Sequence, residues 1–525
     1  MKDPKNRKVF ICFLGTNNYV LCNYCFGNKE ENHCVKNVRF VQEAIVRHEF
    51  TGWTKNDRIF VFLTDAAKKA NWVDGKPSDK DDDEKAKELP NSKWGWQGGE
   101  KWGLETQLKK LAKEGLFPEE IIVPVDVEDD SFSEEAFWSL FNKINEQIEP
   151  NDEIYLDFTS GFRSLSMFGM VLLTYLKNTK NVSIGEIYYG AFEKLGPVPK
   201  VKEMPVEERN APVLKLKEFS TIMDFSNAAN AFVNYGNGRQ LCDAIQQWTN
   251  TNRAHKIDPE LTKNLQDLAN VIKKMTDDLQ TCRGYEICTP SDTGALSKLQ
   301  QWVEQNSKTT QYRALGPIVD SIQEKYQEFS NNNGVLNGFK AAKWCLEHGM
   351  YQQSVTFFQE SIVTHYTKKV GMIPEAKDHR KVIELFLTDP KNGEDSKWKV
   401  EFKELENDGF LFVDNPNDVK DKIASIPKQV GSFYKSLTSI RNDFNHAGFL
   451  RVVYKKDGDI CVDKPYKKGE KLDVVLQNDR SKSSRELINS DVFTFIKEIE
   501  KYNSTEDIMQ AIVNRQMQKM GSDNA

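Results

Sequence analysis

Hydrophobic residues in the first 200 positions form short continuous runs, which alternate with segments of helical spacing. The runs lie at residues 8–14, 57–64, 121–127, 153–157 and 183–192. Short runs of this kind are typical of strands buried on both faces of a parallel sheet. Helical spacing is present between them, at residues 38–49, 102–114, 133–148 and 163–177. This alternation predicts a doubly wound, mostly parallel α/β domain.

The alternation of strands and helices stops after Pro212. Residues 219–329 show helical spacing with long polar faces, and an Asn-Asn-Asn-Gly sequence at 331–334 marks a break. Further amphipathic helices are predicted at residues 339–348, 351–366, 430–445 and 490–503. The pattern is typical of a helical bundle. We therefore expect three parts: an α/β domain at residues 1–212, a helical linker at 213–333 and an α-helical bundle at 334–525.

The charge balance of the chain limits how it could contact nucleic acid. The 525 residues carry a net charge of −6, so bulk attraction for a polyanion is weak. Any RNA contact must come from a local basic surface. The best candidate is the lysine-rich stretch at residues 451–485, which resembles a hairpin inserted between two late helices. A solvated loop explains this stretch equally well.

An insertion at residues 74–103 interrupts the α/β domain. Its acidic run at 81–84 predicts a solvated loop. Its tryptophans, Trp94, Trp96 and Trp102, are more readily explained as a cover for the sheet than as a base-binding surface. The role of the insertion stays open.

The nine cysteines are scattered, and their odd number predicts reduced thiols in a cytoplasmic protein. Cys22 and Cys25 form a Cys-x-x-Cys, but His33 and Cys34 are poorly spaced to complete a zinc site. We therefore predict no metal and interpret these cysteines as small buried residues of a hairpin. We expect no secretory signal, because the first residues are polar and lead directly into a predicted strand. We also expect no membrane helix, because the longest apolar run, at 167–176, is too short.

Two polar loops follow buried strands of the α/β domain, where doubly wound sheets bind their ligands. The first contains Gly15, Thr16, Asn17 and Asn18. The second contains Asp157, Thr159, Ser160, Gly161, Phe162, Arg163 and Ser164. The second loop suits a phosphate because it combines hydroxyls, a glycine, an arginine and the unpaired N–H groups of the following helix. A well-capped helix start is the alternative. Dinucleotide-binding and P-loop fingerprints are both absent.

A second candidate site lies near the end of a predicted bundle helix. Arg441 and His446 are five residues apart, and Asn442 follows the arginine. A histidine can transfer protons at neutral pH, and an arginine can stabilise a phosphorane-like transition state. This pair suffices for attack of a ribose 2′-hydroxyl on its own phosphate without a metal ion. A surface arginine with a histidine at a helix C-terminus is the alternative for this spacing alone.

Together, these segments resemble the CARF–HEPN ribonucleases of type III CRISPR systems. The loop at 13–19 is similar to the start of the family's sensor domain, and the loop at 157–164 resembles its DxTHG motif. The segment from Arg441 to His446 fits the HEPN pattern of an arginine and a histidine separated by four to six residues. One departure is Ser160, which stands where the family commonly has histidine.

The resemblance implies a Rossmann-like CARF domain, a helical linker and an α-helical HEPN domain in a homodimer or higher oligomer without membrane contact. It implies a single-stranded RNA endoribonuclease whose allosteric activator is a cyclic oligoadenylate, with the tetra-adenylate as the expected ring, and no other cofactor. Two other functions stay open: a ring nuclease that degrades the messenger, and a non-catalytic nucleotide-sensing scaffold. Ring size, RNA preference and oligomeric state beyond the dimer are not set by the sequence.

Overall fold

The computed structural model of the chain describes two compact units, Met1–Met223 and Asp224–Ala525. The described residues are 6–17, 19–27, 33–75, 96–97, 100–127, 133–160, 163–255, 259–289, 304–305, 316–326, 329, 334–391, 393–446, 453–456, 459–462, 474–477 and 482–522. The domain boundaries expected at residues 212 and 333 stay predictions.

An eight-stranded sheet forms the centre of the first unit. Its strands are β1 (Lys8–Leu14), β2 (Cys22–Phe26), β3 (His33–Val38), β4 (Arg58–Leu63), β7 (Ile122–Asp126), β8 (Glu153–Asp157), β9 (Ser183–Gly190) and β10 (Asn210–Lys215), while β5 (Trp96–Gln97) and β6 (Glu100–Lys101) form a separate short ladder. The order across the sheet is β3-β2-β10-β9-β8-β1-β4-β7. All pairs from β9 to β7 are parallel, as the alternation of strands and helices predicted.

Helices cover both faces of this sheet. They are α1 (Val41–Glu49), α2 (Asp65–Ala67), α3 (Leu104–Lys113), α4 (Glu134–Gln147), α5 (Arg163–Lys180) and α6 (Val198–Glu203). Side chains alternate along β1, so Phe10 packs in a core with α1 and α3, whereas Ile11 packs in a second core with α4 and α5. Burial on both faces explains the continuous hydrophobic runs and confirms the doubly wound fold class.

The edge of the sheet formed by β10, β2 and β3 departs from the sequence-based expectation. β10 runs antiparallel to β9, and β2 and β3 form a hairpin beside it. Cys25 and Cys34 lie opposite each other in this hairpin and form a disulfide. The prediction that the cysteines are reduced is therefore wrong for this pair. Sequence spacing did not reveal it, because cross-strand neighbours depend on the hairpin register.

The second unit is helical. Its helices are α7 (Lys217–Tyr235, which begins in the first unit), α8 (Gly238–His255), α9 (Pro259–Gln280), α10 (Gly284–Cys288), α11 (Gly316–Tyr326), α12 (Val335–Glu347), α13 (Tyr351–Lys369), α14 (Lys377–Thr388), α15 (Lys397–Asn407), α16 (Pro416–Ala424), α17 (Lys428–Asn445), α18 (Ser484–Ile488), α19 (Asp491–Lys497) and α20 (Thr505–Ser522). One hydrophobic core runs through them, from Phe225 to Ile512. Within the described ranges, no helix has the length and apolar character needed to cross a membrane.

A small antiparallel sheet interrupts the helices after α17. It consists of β11 (Val453–Lys456), β12 (Asp459–Val462) and β13 (Val474–Gln477), in the order β12-β11-β13. This sheet occupies the lysine-rich stretch expected to resemble a hairpin. Most of its lysine side chains, together with most of the insertion at 74–103, lie outside the described residues.

Candidate functional sites

The two polar loops of the first unit meet at the point where the strand order of the sheet reverses. In the parallel part of the sheet, β4 and β7 lie on one side of β1, and the later strands β8 and β9 lie on its other side. A crevice opens beyond the carboxyl ends of strands at such a switch point, and doubly wound proteins bind their ligands there. The loop at 15–19 follows β1 and the loop that begins at Phe158 follows β8. The fold therefore brings both predicted loops to the carboxyl ends of neighbouring strands, at this switch point.

Asp157 lies beneath the second loop and shapes it. Its Oδ1 accepts hydrogen bonds from the Thr159 N–H (2.9 Å) and hydroxyl (2.5 Å), and its Oδ2 accepts one from Gln42 Nε2 (2.8 Å). The Thr159 hydroxyl also accepts a bond from the Gly190 N–H (2.7 Å). Asp157 is fully buried, so its side chain supports the loop rather than facing the crevice.

Burial also determines the protonation of this aspartate. It raises the pKa of Asp157 to about 6, against the hydrogen bonds from Thr159 and Gln42, which favour the carboxylate. Gln42 Nε2 additionally donates to the Phe13 carbonyl at the end of β1 (3.1 Å). The Gln42 amide therefore ties the ends of the two strands together. Gln42 could not be identified from the sequence, because a single glutamine on a helix belongs to no motif.

Tyr19 joins the two loops directly. Its hydroxyl accepts a hydrogen bond from the Gly15 N–H (3.0 Å). The Ser160 hydroxyl lies near it and lowers the pKa of Tyr19, against the burial that raises this pKa. Ser160 is itself buried, so the serine that replaces the family's histidine contributes to the junction between the loops. Thr16 and Asn17 are exposed on the first loop and remain accessible to a ligand.

A buried arginine and a buried asparagine support the first loop through hydrogen bonds. Asn71 Nδ2 donates to the carbonyls of Gly15 (2.8 Å) and Asn17 (2.9 Å), and Asn71 Oδ1 accepts from Arg39 Nη2 (2.5 Å). Asn71 lies on a π-helical turn, a geometry frequent at functional sites. Burial lowers the pKa of Arg39 to about 10. Neither residue could be identified from the sequence, because both are distant from the loop along the chain.

The rest of the second loop leads into α5, which begins at Arg163. The start of a helix presents unpaired N–H groups to an anion, as the sequence analysis proposed. Asn18, Gly161 and Phe162, and the side chains of Arg163 and Ser164, lie outside the described residues. Their assignment to ligand binding stays a prediction.

Arg441 of the second unit is held by the neighbouring helix α13. Its Nη1 donates to Gln359 Oε1 (3.0 Å) and lies 3.3 Å from Glu360 Oε1. Gln359 and Glu360 were not identified from the sequence, because no motif spans the more than 80 residues that separate them from Arg441. The HEPN-like motif is thus accompanied by a carboxylate that the sequence analysis did not foresee.

His446 ends the helix that carries Arg441. It is the C-cap of α17, and its backbone N–H donates to the Asn442 carbonyl (2.9 Å). His446 and Asn442 are exposed, whereas Arg441 is partly buried. Within the described part of the chain, no hydrogen bond engages the His446 imidazole. The helix therefore presents an imidazole and a guanidinium that an incoming substrate can reach.

Comparison with known proteins identifies the class of the first unit. Residues 9–193 match the family described as CRISPR system endoribonuclease Csx1, CARF domain. A similar protein is CRISPR-associated protein MJ1674 of Methanocaldococcus jannaschii, which is 23% identical over 286 residues. That match covers 54% of this chain and 37% of the relative, so the two chains share only part of their lengths.

The fold and the family match define the first unit as a Rossmann-like domain of the Csx1-type CARF family, over residues 9–193. This match and the similarity to a CRISPR-associated protein support the resemblance of the chain to the CARF-containing effectors of type III CRISPR systems.

Proposed function

We propose that this chain is a metal-independent endoribonuclease, which cleaves single-stranded RNA when a cyclic oligoadenylate occupies the CARF domain. The observation that carries the proposal is the presentation of Arg441 and His446 on one helix, with His446 exposed and Arg441 oriented by α13. These two side chains supply the chemistry that cleavage of RNA through its own 2′-hydroxyl requires.

In the proposed reaction, the His446 imidazole accepts the proton of a ribose 2′-hydroxyl. The resulting oxygen nucleophile attacks the adjacent phosphorus, and the bond from phosphorus to the 5′-oxygen breaks. Arg441 stabilises the additional negative charge on the phosphoryl oxygens as it develops. The leaving 5′-oxygen takes up a proton, so the products are a 2′,3′-cyclic phosphate and a 5′-hydroxyl.

The lysine-rich stretch supports an RNA surface beside this site. The Lys482 N–H, at the end of that stretch, donates to Asp443 Oδ2 (3.2 Å), two residues from Arg441. The stretch therefore returns to the helix that carries the proposed active site. The exposed side chains of Lys455 and Lys482 can contribute positive charge to RNA binding in a chain of net charge −6.

A homodimer is supported by an apolar ridge on the CARF domain. Met167 and Val171 are 75% and 60% exposed on successive turns of α5, and Tyr175 continues the ridge. Trp138 of α4 is 58% exposed and contacts Phe141, which packs edge-on against Tyr175. Exposed apolar patches of this kind mark interaction surfaces. We assign this ridge to a second copy of the chain, as the family resemblance implies.

The test is an RNA-cleavage assay with cyclic tri-, tetra- and hexa-adenylates, in buffer with and without a chelator. We expect one ring to activate the full-length chain, with equal rates in chelator. The product ends should be a 2′,3′-cyclic phosphate and a 5′-hydroxyl. No activation by any ring, or activity that chelator abolishes and magnesium restores, would contradict the proposal. Conversion of the rings to linear products without RNA cleavage would instead support the ring-nuclease alternative.

A further inference from the structure

Among the described residues, the contacts of the Arg441 guanidinium are confined to one of its nitrogens. Nη1 makes both contacts to α13, with Gln359 Oε1 and Glu360 Oε1. Within the described residues, neither Nε nor Nη2 of Arg441 donates a hydrogen bond. A guanidinium has five N–H donors in a rigid planar fork, which can bind two phosphate oxygens in parallel. The Nε and Nη2 edge therefore remains available for that bidentate contact.

The two side chains that contact Arg441, Gln359 and Glu360, are themselves held in place by hydrogen bonds. Gln359 is 2% exposed, and its Nε2 donates to Thr438 Oγ1 (2.9 Å), which directs its Oε1 toward Arg441. Glu360 Oε2 accepts a short bond from Arg380 Nη2 (2.6 Å). Arg380 Nη1 donates to Thr364 Oγ1 (2.8 Å) and to a backbone carbonyl, so its position is set on several sides.

The two arginines also determine how much positive charge the Arg441 region offers to a phosphate. Glu360 alone would offset the positive charge of Arg441 and weaken its attraction for phosphate. Arg380 is the closer of the two cations to Glu360, at 2.6 Å compared with 3.3 Å. Arg380 therefore balances the Glu360 carboxylate, so that Glu360, Arg380 and Arg441 together keep a net positive charge. The neighbouring Glu384 is partly buried, which raises its pKa. Glu360 can orient Arg441 without cancelling it.

We propose that Glu360, fixed by Arg380, is a positioning residue that holds the Arg441 guanidinium with its Nε and Nη2 edge open to the RNA phosphate. The inference rests on the proposed role of Arg441 in RNA cleavage. An arginine side chain otherwise samples many rotamers, and fixing one of them reduces the entropy lost when the transition state forms. A role in orientation should appear in kcat more than in KM.

The test compares Glu360→Gln and Glu360→Ala in the full-length chain, with RNA as substrate and the most activating ring at saturation. Glutamine has one oxygen and so keeps only one of the two arginine contacts. We expect kcat to fall roughly threefold to tenfold for Glu360→Gln and about tenfold to a hundredfold for Glu360→Ala, with KM changed less than about threefold. Thermal stability and ring binding are measured for both variants.

The matched control is Glu401→Gln, which removes the ion pair with Lys381 (2.7 Å), the residue next to Arg380 on α14. It should leave kcat unchanged. A double-mutant cycle then tests whether Glu360 acts through Arg441. In an Arg441→Ala background, Glu360→Ala should reduce single-turnover cleavage by no more than about twofold, since there is no guanidinium left to position.

The outcomes separate this inference from the proposed function. If Arg441→Ala cleaves RNA at the unaltered rate, the proposed function fails, and the inference fails with it. If Arg441→Ala is inactive but folded Glu360→Gln and Glu360→Ala keep full or higher kcat, only the positioning role is overturned. A kcat loss that is equally large in the Arg441→Ala background, or equally large for Glu401→Gln, would also overturn it, because either result indicates a general effect on the fold.

Discussion

The burial of Asp157 should make the stability of the first unit depend on pH. Burial raises the pKa of this carboxyl from its ordinary value of 3.8 to about 6. The folded protein therefore holds the proton more tightly than the unfolded chain. Protonated Asp157 favours the folded state at low pH, and this contribution is lost as the pH rises through 6. Between pH 5 and 8, the loss in the free energy of unfolding should be about 1.4 kcal/mol.

Asp157→Asn removes this titration. The asparagine keeps one oxygen for Thr159, but its Nδ2 faces Gln42 Nε2, which already donates to the Phe13 carbonyl. Two donors facing each other should cost about 1–3 kcal/mol at every pH. The variant is therefore expected to be less stable than the unaltered protein at pH 5. The difference should shrink by about 1.4 kcal/mol by pH 8, because only the unaltered protein must ionise a buried carboxyl.

The assay is amide hydrogen exchange of the slowest amides in β1 and β8 of the full-length chain, measured from pH 5 to 8. Comparing two proteins at the same pH cancels intrinsic exchange and other buried carboxyls, such as Glu43, whose pKa burial raises to about 7. Asp126→Asn, at an exposed position at the end of β7, is the control and should show no pH-dependent divergence. A stability difference for Asp157→Asn that stays constant across this range would refute the reasoning.

Three further predictions concern the CARF unit. Asn71→Ala removes two hydrogen bonds to the first loop and the hydrogen bond that Arg39 Nη2 donates to Asn71. The ring concentration for half-maximal activation should therefore rise about tenfold, while the cleavage rate at saturating ring stays the same. An unchanged activation midpoint would show that Asn71 does not support ring binding. Cys34→Ser removes the disulfide with Cys25, which closes a short loop, and should lower the free energy of unfolding of this unit by about 2–3 kcal/mol. The measurement is a denaturant titration in oxidising buffer. An equal free energy of unfolding for the variant and the unaltered protein would contradict this prediction. The unaltered chain should be a dimer in light-scattering measurements, as proposed above. Val171→Asp should be a monomer and Val171→Thr a dimer. Dimers of both variants would place the interface elsewhere.

The strands and both polar loops of the CARF domain could be predicted because their signals are local. A strand buried on both faces is a continuous hydrophobic run, and the loop at its carboxyl end directly follows it in sequence. The pairing of Arg441 with His446 is local in the same way, since both lie on one helix. The family resemblance, which rests on these segments, was confirmed for the CARF domain, whereas the nuclease site remains a proposal.

The residues that support these sites could not be predicted, because tertiary packing brings them there. Asn71 reaches the loop at Gly15 from a π-helical turn, and Glu360 reaches Arg441 from a different helix. Neither belongs to a motif. The Thr159 and Ser160 hydroxyls were predicted to face a phosphate, yet the Thr159 hydroxyl forms hydrogen bonds within the protein and Ser160 is buried near Tyr19. Hydroxyl groups in a loop satisfy internal partners as readily as a ligand, and sequence alone does not distinguish the two.

One titration tests most directly whether a ring bound at the CARF domain activates a nuclease site that the ring itself does not contact. Cleavage rate is measured against ring concentration for the unaltered chain, Arg163→Ala and His446→Ala. We expect Arg163→Ala to shift the activation curve to at least about tenfold higher concentration with the same plateau, because a charged donor to phosphate is lost. His446→Ala should lower the plateau at least about a hundredfold and leave ring affinity unchanged. A His446→Ala plateau close to that of the unaltered chain, or an unshifted Arg163→Ala curve, would contradict the account.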